Sequence, residues 1–387
     1  MPKVNVEVSD KIIDWILENI DSEKLTPEIL EMVYNLSDDK NKPTMKQVLD
    51  LSKKINIPFG YFFLKEPPKE NLDIIKYRTI NSVKFKKPSR NLIDTINYME
   101  RVQDWMKSYC LEINAEDLKY VGSVSEDEDA QDFAKLIRKE IGLKDDWFTK
   151  CKDASESFSF LRKLFGEIGI IVMMSGVVGQ NNKRKLNLEE FRAFVLIDEY
   201  APLIFINSND SNNGKLFSLL HEAVHIWLGT DELYNDFEVD NGVSKTEKLC
   251  NAVTAEILVP MNSFRKEWSK VNENDLVKKI KKISQFYKCS QIVIARRALD
   301  MNFINAKEYQ VISNNILSSL NEKFESKSSS GGDYYRTQKS RIDNRFLLAL
   351  NDSTLEGKTS FSEAYRLSNT SRKTFSALTE YVRGKMQ

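Results

Sequence analysis

The chain has 387 residues, of which 41% are hydrophobic and 29% are charged. Its 57 Lys and Arg residues balance its 57 Asp and Glu residues, so the formal net charge is zero. This length and composition predict a globular protein with more than one domain, and the balanced charge does not favour a polyanionic partner.

No segment predicts insertion into a membrane. The N-terminus, "MPKVNVEVSDKIIDW", lacks the apolar core of a signal peptide, and the most apolar run, residues 168–179, is too short to span a bilayer. The cysteines form no C-x-x-C pair, which predicts reduced thiols. They are Cys110, Cys151, Cys250 and Cys289. We therefore expect a cytoplasmic protein with no membrane contact.

In chain order, apolar periodicity and turn residues predict five segments. Most of the chain reads as amphipathic helix, and "ESKSSSGGD" reads as a flexible linker. The segments are a helical domain at 1–70, a helical connecting region at 71–165, a domain with following helices at 166–324, a linker at 325–332 and a small helical extension at 333–387.

Short runs of branched and aromatic residues predict strands between residues 167 and 208. "IGIIVMMSG" is one, and "FRAFVLID" (191–198) and "PLIFINS" (202–208) form a hairpin. A helix follows at 215–228 and stops at Gly229. The predicted fold class is α+β, mostly helical, with a small antiparallel sheet packed on this helix. "PLIFINS" is either an edge strand that pairs with an extended substrate or a strand that closes the core.

The predicted helix carries both histidines of the chain, in "FSLLHEAVHIWLG" (217–229). His221 and His225 are four residues apart and so project from one helix face, where they can bind one metal ion. Glu222 is rotated around the axis and can reach a water molecule on that metal. This is the arrangement of the H-E-x-x-H zinc peptidase helix, in which zinc activates water and the glutamate accepts its proton.

A third protein ligand is needed, with one position left for water. No histidine remains and cysteine is unusual at a hydrolytic site, so a carboxylate is expected. The candidates are Glu232, Glu238, Asp240, Glu247 and Glu256. We favour Glu247, which opens the next helix and has Asn251 one turn on to hydrogen-bond a ligand. The alternative is that Ser244-x-x-Glu247 is a capping box, in which the glutamate bonds only backbone N–H groups. This ligand set favours one Zn²⁺ per chain and leaves Mn²⁺ open.

At these residues the chain resembles the ImmA/IrrE family of zinc metallopeptidases. The resemblance lies in "APLIFINSNDSNNGKLFSLLHEAVHIWLG" (201–229) and "EKLCNAVTAEILVP" (247–260). It implies a zincin-like peptidase domain in which His221, His225 and Glu247 bind zinc and Glu222 is the base. It also implies a cytoplasmic endopeptidase whose substrate is a protein regulator, a helix-turn-helix repressor or an antitoxin, and whose activity switches on genes for stress response or mobile elements.

The flanking segments resemble the longer members of that family. "PTMKQVLDLSKKINIPFGYFFLKEPP" followed by "YRT" (77–79) is similar to an Xre-like helix-turn-helix segment, and "GGDYYRTQKSRIDNRFLLAL" to a C-terminal extension. However, the stretch that would read DNA carries Glu28, Glu31, Asp38 and Asp39, which repel phosphate. DNA binding is therefore doubtful. The alternative function is a DNA- or protein-binding regulator, antitoxin-like, whose metal site is structural or sensory.

Overall fold

The computed structural model describes residues 4–21, 24–37, 42–68, 88–230, 233–234, 244–325 and 334–386. Nearly all of the predicted 325–332 linker and the "YRT" tripeptide lie outside the described residues. The described chain divides into two compact units: residues up to 68 together with 88–96, and residues from 97 onward. Within the described part of the chain, no helix combines the length and the hydropathy needed to cross a membrane.

The first unit is a small helical bundle with its own apolar core. Its helices are α1 (Asp10–Asn19), α2 (Pro27–Tyr34) and α3 (Met45–Ile55), followed by a 3₁₀ turn at Phe59–Phe63. Thr44 and Gln47 form a capping box that starts α3, and Asn56 ends it in the left-handed conformation (φ 60°). The core takes one face from every helix: Ile12, Ile13, Ile16, Ile29, Val33, Val48, Leu51, Ile55 and Phe62.

The second unit contains all remaining elements and is mostly helical. Helix α4 (Arg90–Glu112) contributes its residues from 97 onward. The other helices are α5 (Ala130–Glu140), α6 (Ala154–Glu167), α7 (Asn212–Leu228), α8 (Lys245–Leu258), α9 (Met261–Lys270), α10 (Leu276–Tyr287), α11 (Gln291–Asp300), α12 (Ala306–Glu325), α13 (Tyr334–Arg341), α14 (Asn344–Leu355), α15 (Phe361–Leu367) and α16 (Arg372–Met386).

One small sheet supports the unit. Its strands are β1 (Ile171–Ser175), β2 (Ala193–Leu196), β3 (Leu203–Asn207) and the two-residue β4 (Leu233–Tyr234), in the order β1-β3-β2-β4. The hairpin of β2 and β3 is antiparallel, as predicted. The fold class, α+β and mostly helical, is confirmed.

The sheet is nevertheless mixed rather than purely antiparallel, because β1 pairs with β3 in parallel. This pairing makes β3 an interior strand, and all five of its residues are buried. An interior strand has no free backbone edge for a substrate, so the "PLIFINS" run closes the core. Its continuous apolar run, covered on both faces, is the pattern of a central strand.

The outer edge of β1 is covered by the start of the C-terminal helices. The Arg162 guanidinium donates to the Val172, Ser340 and Ile342 carbonyls at 2.6, 2.6 and 3.0 Å. Asp343 caps α14 and also accepts from the Val172 amide at 3.3 Å. Polar groups of an edge strand are thereby satisfied within the chain.

Candidate metal centre

Helix α7 is held in place at both of its ends. The Ser211 hydroxyl caps its first turn by accepting from the Gly214 amide at 2.9 Å. Gly229 ends it in the left-handed conformation (φ 67°), and the Thr230 amide then donates back to the His225 carbonyl at 3.2 Å. Helix α7 packs against α6, α8, β2 and β3, and its side chains from Leu219 through Trp227 are all buried.

A separate loop closes the C-terminal end of α7. The amides of Gly122 and Val124 donate to the Ile226 and Trp227 carbonyls at 2.9 and 3.0 Å. These carbonyls belong to the last turn of α7, where carbonyl groups lack the usual amide donor four residues further along the helix. The approach is close: a Cβ on Gly229 would lie 3.0 Å from the Gly122 Cα. The loop therefore approaches the end of α7 at a point where both residues are glycine, each with a positive φ.

Helix α8 presents a second set of polar side chains to α7. The Ser244 hydroxyl caps it by accepting from the Glu247 amide at 3.2 Å. The Glu247 carboxylate lies at the histidine pair, with Oε2 3.1 Å from His221 Nε2 and Oε1 3.3 Å from His225 Nε2. Half of the capping box is thus present, but the carboxylate contacts both imidazoles.

Hydrogen bonds set the orientation of both imidazole rings. His221 Nδ1 lies 3.1 Å from Asn251 Oδ1, and because an amide oxygen can only accept, the ring nitrogen donates. His225 Nδ1 lies 3.0 Å from the Thr230 hydroxyl oxygen. In each ring Nε2 is then the nitrogen that faces the Glu247 carboxylate and the other imidazole. The two Nε2 atoms are 3.3 Å apart.

The three donors fit one divalent metal ion. Two imidazole nitrogens and a carboxylate are separated pairwise by 3.1 to 3.3 Å. Ligand atoms around a tetrahedral zinc at about 2.0–2.2 Å lie roughly 3.3–3.6 Å from one another. A cation between these acceptors accounts for their close approach, and the His₂-carboxylate set is one that zinc uses in hydrolytic enzymes.

The remaining predicted residues are placed as follows. Glu222 is completely buried on α7, directly after His221. Glu256 is at the far end of α8, where it accepts from the Met261 amide and pairs with Arg297 at 3.1 Å, so it is not near the histidines. Glu232, Glu238 and Asp240, the other candidates for third ligand, lie outside the described residues.

Two residues near the imidazoles were not predicted. Thr230 reaches His225 because the chain reverses at Gly229, so the helix-stop signal at that glycine could have found it. Cys250 is completely buried, and its Sγ and the ring nitrogens of His221 and His225 lie within 4.8 Å of one another. Its position three residues after Glu247 places it on the same face of α8.

Comparison with known families supports a peptidase domain in the middle of the chain. A peptidase family described as the IrrE N-terminal-like domain (Peptidase M78) matches residues 169–299, about a third of the chain. The matched segment runs from β1 to α11 and contains both metal-site helices. The match indicates a zincin-like metallopeptidase domain of the ImmA/IrrE kind, in a family that depends on zinc.

The C-terminal part of the chain matches a second family. A domain of unknown function (DUF8813) matches residues 342–381, which include α14 and α15. No curated protein matches the chain, and no solved structure does either.

Proposed function

We propose that the protein is a zinc-dependent endopeptidase that hydrolyses a peptide bond in a protein regulator. The observation that carries the proposal is the convergence of His221 and His225 with the Glu247 carboxylate at 3.1 to 3.3 Å. The match to a metallopeptidase family over the same residues supports it independently.

In this proposal His221, His225 and Glu247 are the protein ligands of one zinc ion. Zinc, when bound, supplies a Lewis acid that activates water and polarises a carbonyl. Asn251 and Thr230 hold the two imidazole rings through Nδ1, so that Nε2 stays directed at the site. Because Nδ1 of His221 donates to an amide oxygen, the ring keeps one tautomer throughout the reaction.

Glu222 is the proposed general base. One of its carboxylate oxygens takes the proton that water loses as it attacks the peptide carbonyl, and the same oxygen returns the proton to the departing amine. Its position directly after His221, on a buried face of α7, supports this role. The rigid ends of α7 support this role, since a general base has to stay within hydrogen-bond reach of the proton it takes.

The proposed substrate class is a helix-turn-helix repressor or an antitoxin, cleaved in the cytoplasm. The resemblance to the ImmA/IrrE family supports this class, and four buried free thiols are compatible with a reducing compartment. The proposal does not assign DNA binding to the first unit. There α2 is only eight residues long and carries Glu28 and Glu31, and Glu28 pairs with Lys54 at 2.6 Å.

The substitution Glu222→Gln tests the proposed function. The variant should bind one equivalent of zinc, fold normally and capture substrate from a lysate of the native host. It should cut that captured protein about 10²–10⁴-fold more slowly than the wild type, because it lacks the base. Glu140→Gln, an exposed change on α5, is the matched control and should cleave normally. Cleavage at the wild-type rate by Glu222→Gln, or a reconstituted wild type without stoichiometric metal, would contradict the proposal.

A further inference from the structure

Cys250 lies in the candidate metal centre, although no role has been given to it so far. It follows Glu247 by three residues and precedes Asn251, so one face of α8 presents a carboxylate, a thiol and an amide to α7. Its Sγ atom forms one group with the ring nitrogens of His221 and His225, in which all three atoms lie within 4.8 Å of one another. All three side chains are buried.

The other cysteines have different surroundings. Cys110 donates to the Tyr200 carbonyl and accepts from Arg345, and Cys289 donates to the Ser290 carbonyl. Among the described residues, which include all four cysteines, Cys250 alone joins two further metal-binding side chains in such a group.

We propose that Cys250 is a fourth protein donor to the metal of this site, so that the resting centre is His₂GluCys. The inference rests on the proposed function, whose metal site it completes. On metal binding the thiol loses its proton to solvent and Sγ binds the ion as thiolate. No oxidant or reductant takes part.

A fourth protein donor has a consequence for activity. Structural zinc sites use four protein ligands, whereas catalytic sites keep one position for water. Bound in this way, the Cys250 thiolate would occupy the position that a catalytic site keeps for water, so the ion could activate water only in a form that the thiolate does not bind.

A second consequence concerns the identity of the metal. Thiolate is a soft ligand that selects zinc, whereas manganese favours carboxylate, carbonyl and water oxygens. The sequence left Mn²⁺ open for a His₂-carboxylate site, and a thiolate at the same ion decides for Zn²⁺. Loss of the thiol should therefore weaken zinc binding more than manganese binding.

X-ray absorption of the zinc-loaded full-length protein tests the assignment directly. The wild type should show one sulfur scatterer at about 2.3 Å from zinc, and its cobalt-substituted form should show a thiolate-to-cobalt charge-transfer band. Cys250→Ala should lose both signals, and Cys151→Ala, a buried cysteine on another segment, should keep both. Zinc affinity of Cys250→Ala should fall by more than the roughly 10-fold to 100-fold that loss of a residue behind the ligands costs, while manganese affinity changes little.

The possible results separate this inference from the proposed function. A wild type that holds stoichiometric zinc with only nitrogen and oxygen scatterers overturns the role of Cys250 and leaves the peptidase proposal standing. A wild type that binds no zinc overturns both. If Cys250→Ala does not fold, Cys250→Ser replaces it as the comparison, and the wild-type spectrum alone still decides whether sulfur binds the metal.

Discussion

Replacing Gly229 by alanine should loosen the C-terminal end of α7. Gly229 has a φ of 67°, a conformation that costs an L-residue about 1–2 kcal/mol. Its new Cβ would also lie 3.0 Å from the Cα of Gly122, closer than ordinary contact between these atoms allows. The neighbouring atom is backbone, so the loop has to move as a whole.

The magnitude follows from what that loop contributes. The Gly122 and Val124 amides donate to the last carbonyls of α7 at 2.9 and 3.0 Å. Each such bond contributes about 0.5–1.5 kcal/mol, so losing both costs about 2 kcal/mol. Together with the strained conformation, Gly229→Ala should destabilise the protein by about 3–4 kcal/mol.

Gly142 provides the matched control. It ends α5 in the same left-handed conformation (φ 62°), but a Cβ there meets no atom within 4 Å. Gly142→Ala should therefore cost only the conformational strain, about 1–2 kcal/mol. Urea unfolding measures both variants. Hydrogen exchange at the Gly122 and Val124 amides should accelerate by about 30-fold in Gly229→Ala only, which is 2 kcal/mol expressed as a ratio. Equal destabilisation by the two substitutions would refute the reasoning.

Three further substitutions test other contacts in the second unit. Asn251→Ala should lower zinc affinity by about 10-fold to 100-fold, because His221 Nδ1 loses its hydrogen-bond acceptor. Competition with a chelator measures the affinity, and an unchanged value would show that the Asn251 amide does not orient the ring. Asp343→Ala should lower the free energy of unfolding in urea by about 2–4 kcal/mol, because it removes a helix cap and leaves a buried β1 amide without its acceptor. The control Ser360→Ala removes a helix cap alone and should cost about 1 kcal/mol. Equal costs would contradict the contact between Asp343 and the β1 edge. Burial raises the pKa of Glu100, so its favourable contribution is present at low pH and is lost as pH rises through the raised pKa. Glu100→Gln should therefore gain stability relative to wild type as pH rises above about 4.3, the ordinary pKa of a glutamate, and a difference that does not change with pH would contradict the assignment.

Helix periodicity was enough to predict the part of the candidate site that lies on a single helix. His221, Glu222 and His225 lie on one continuous helix, so their spacing in sequence fixes their relation in space. Glu247 was selected from five acidic residues on a weaker argument, since two helices that are distant in sequence can pack in many ways. Both Glu247 and Glu256 lie on α8, at opposite ends of the helix. Only the packing of α7 on α8 shows that Glu247, and not Glu256, lies beside the histidines.

Thr230 and Cys250 show what sequence spacing does not contain. Thr230 reaches His225 only because the backbone reverses at Gly229. The direction in which the Thr230 side chain points depends on the left-handed conformation of Gly229. Cys250 has the spacing of a buried apolar position on α8, and nothing in its neighbours marks it as a ligand. Its relation to the histidines depends on the register between two helices, which tertiary packing sets.

The sequence predicted strands β1, β2 and β3, but of their pairings it predicted only the β2–β3 hairpin. Hydrophobic runs locate β1, β2 and β3, and the short connection between β2 and β3 specifies their hairpin. The long connection between β1 and β2 specifies no partner, so the parallel pairing of β1 with β3 depends on non-local packing. Sequence periodicity therefore identified "PLIFINS" as a strand without deciding whether it was central or at an edge.

The contacts of β1 connect the two matched families in one structural unit. Arg162 on α6 donates hydrogen bonds to a carbonyl of β1 and to two carbonyls of the residues that precede α14. Burial lowers the pKa of its guanidinium. Because α6 and β3 both pack against α7, the sheet edge that Asp343 satisfies belongs to the same scaffold that holds the histidines. The C-terminal extension should therefore act on the metal centre through rigidity of the sheet, and removing it would expose a strand edge as well as loosen the support of α7.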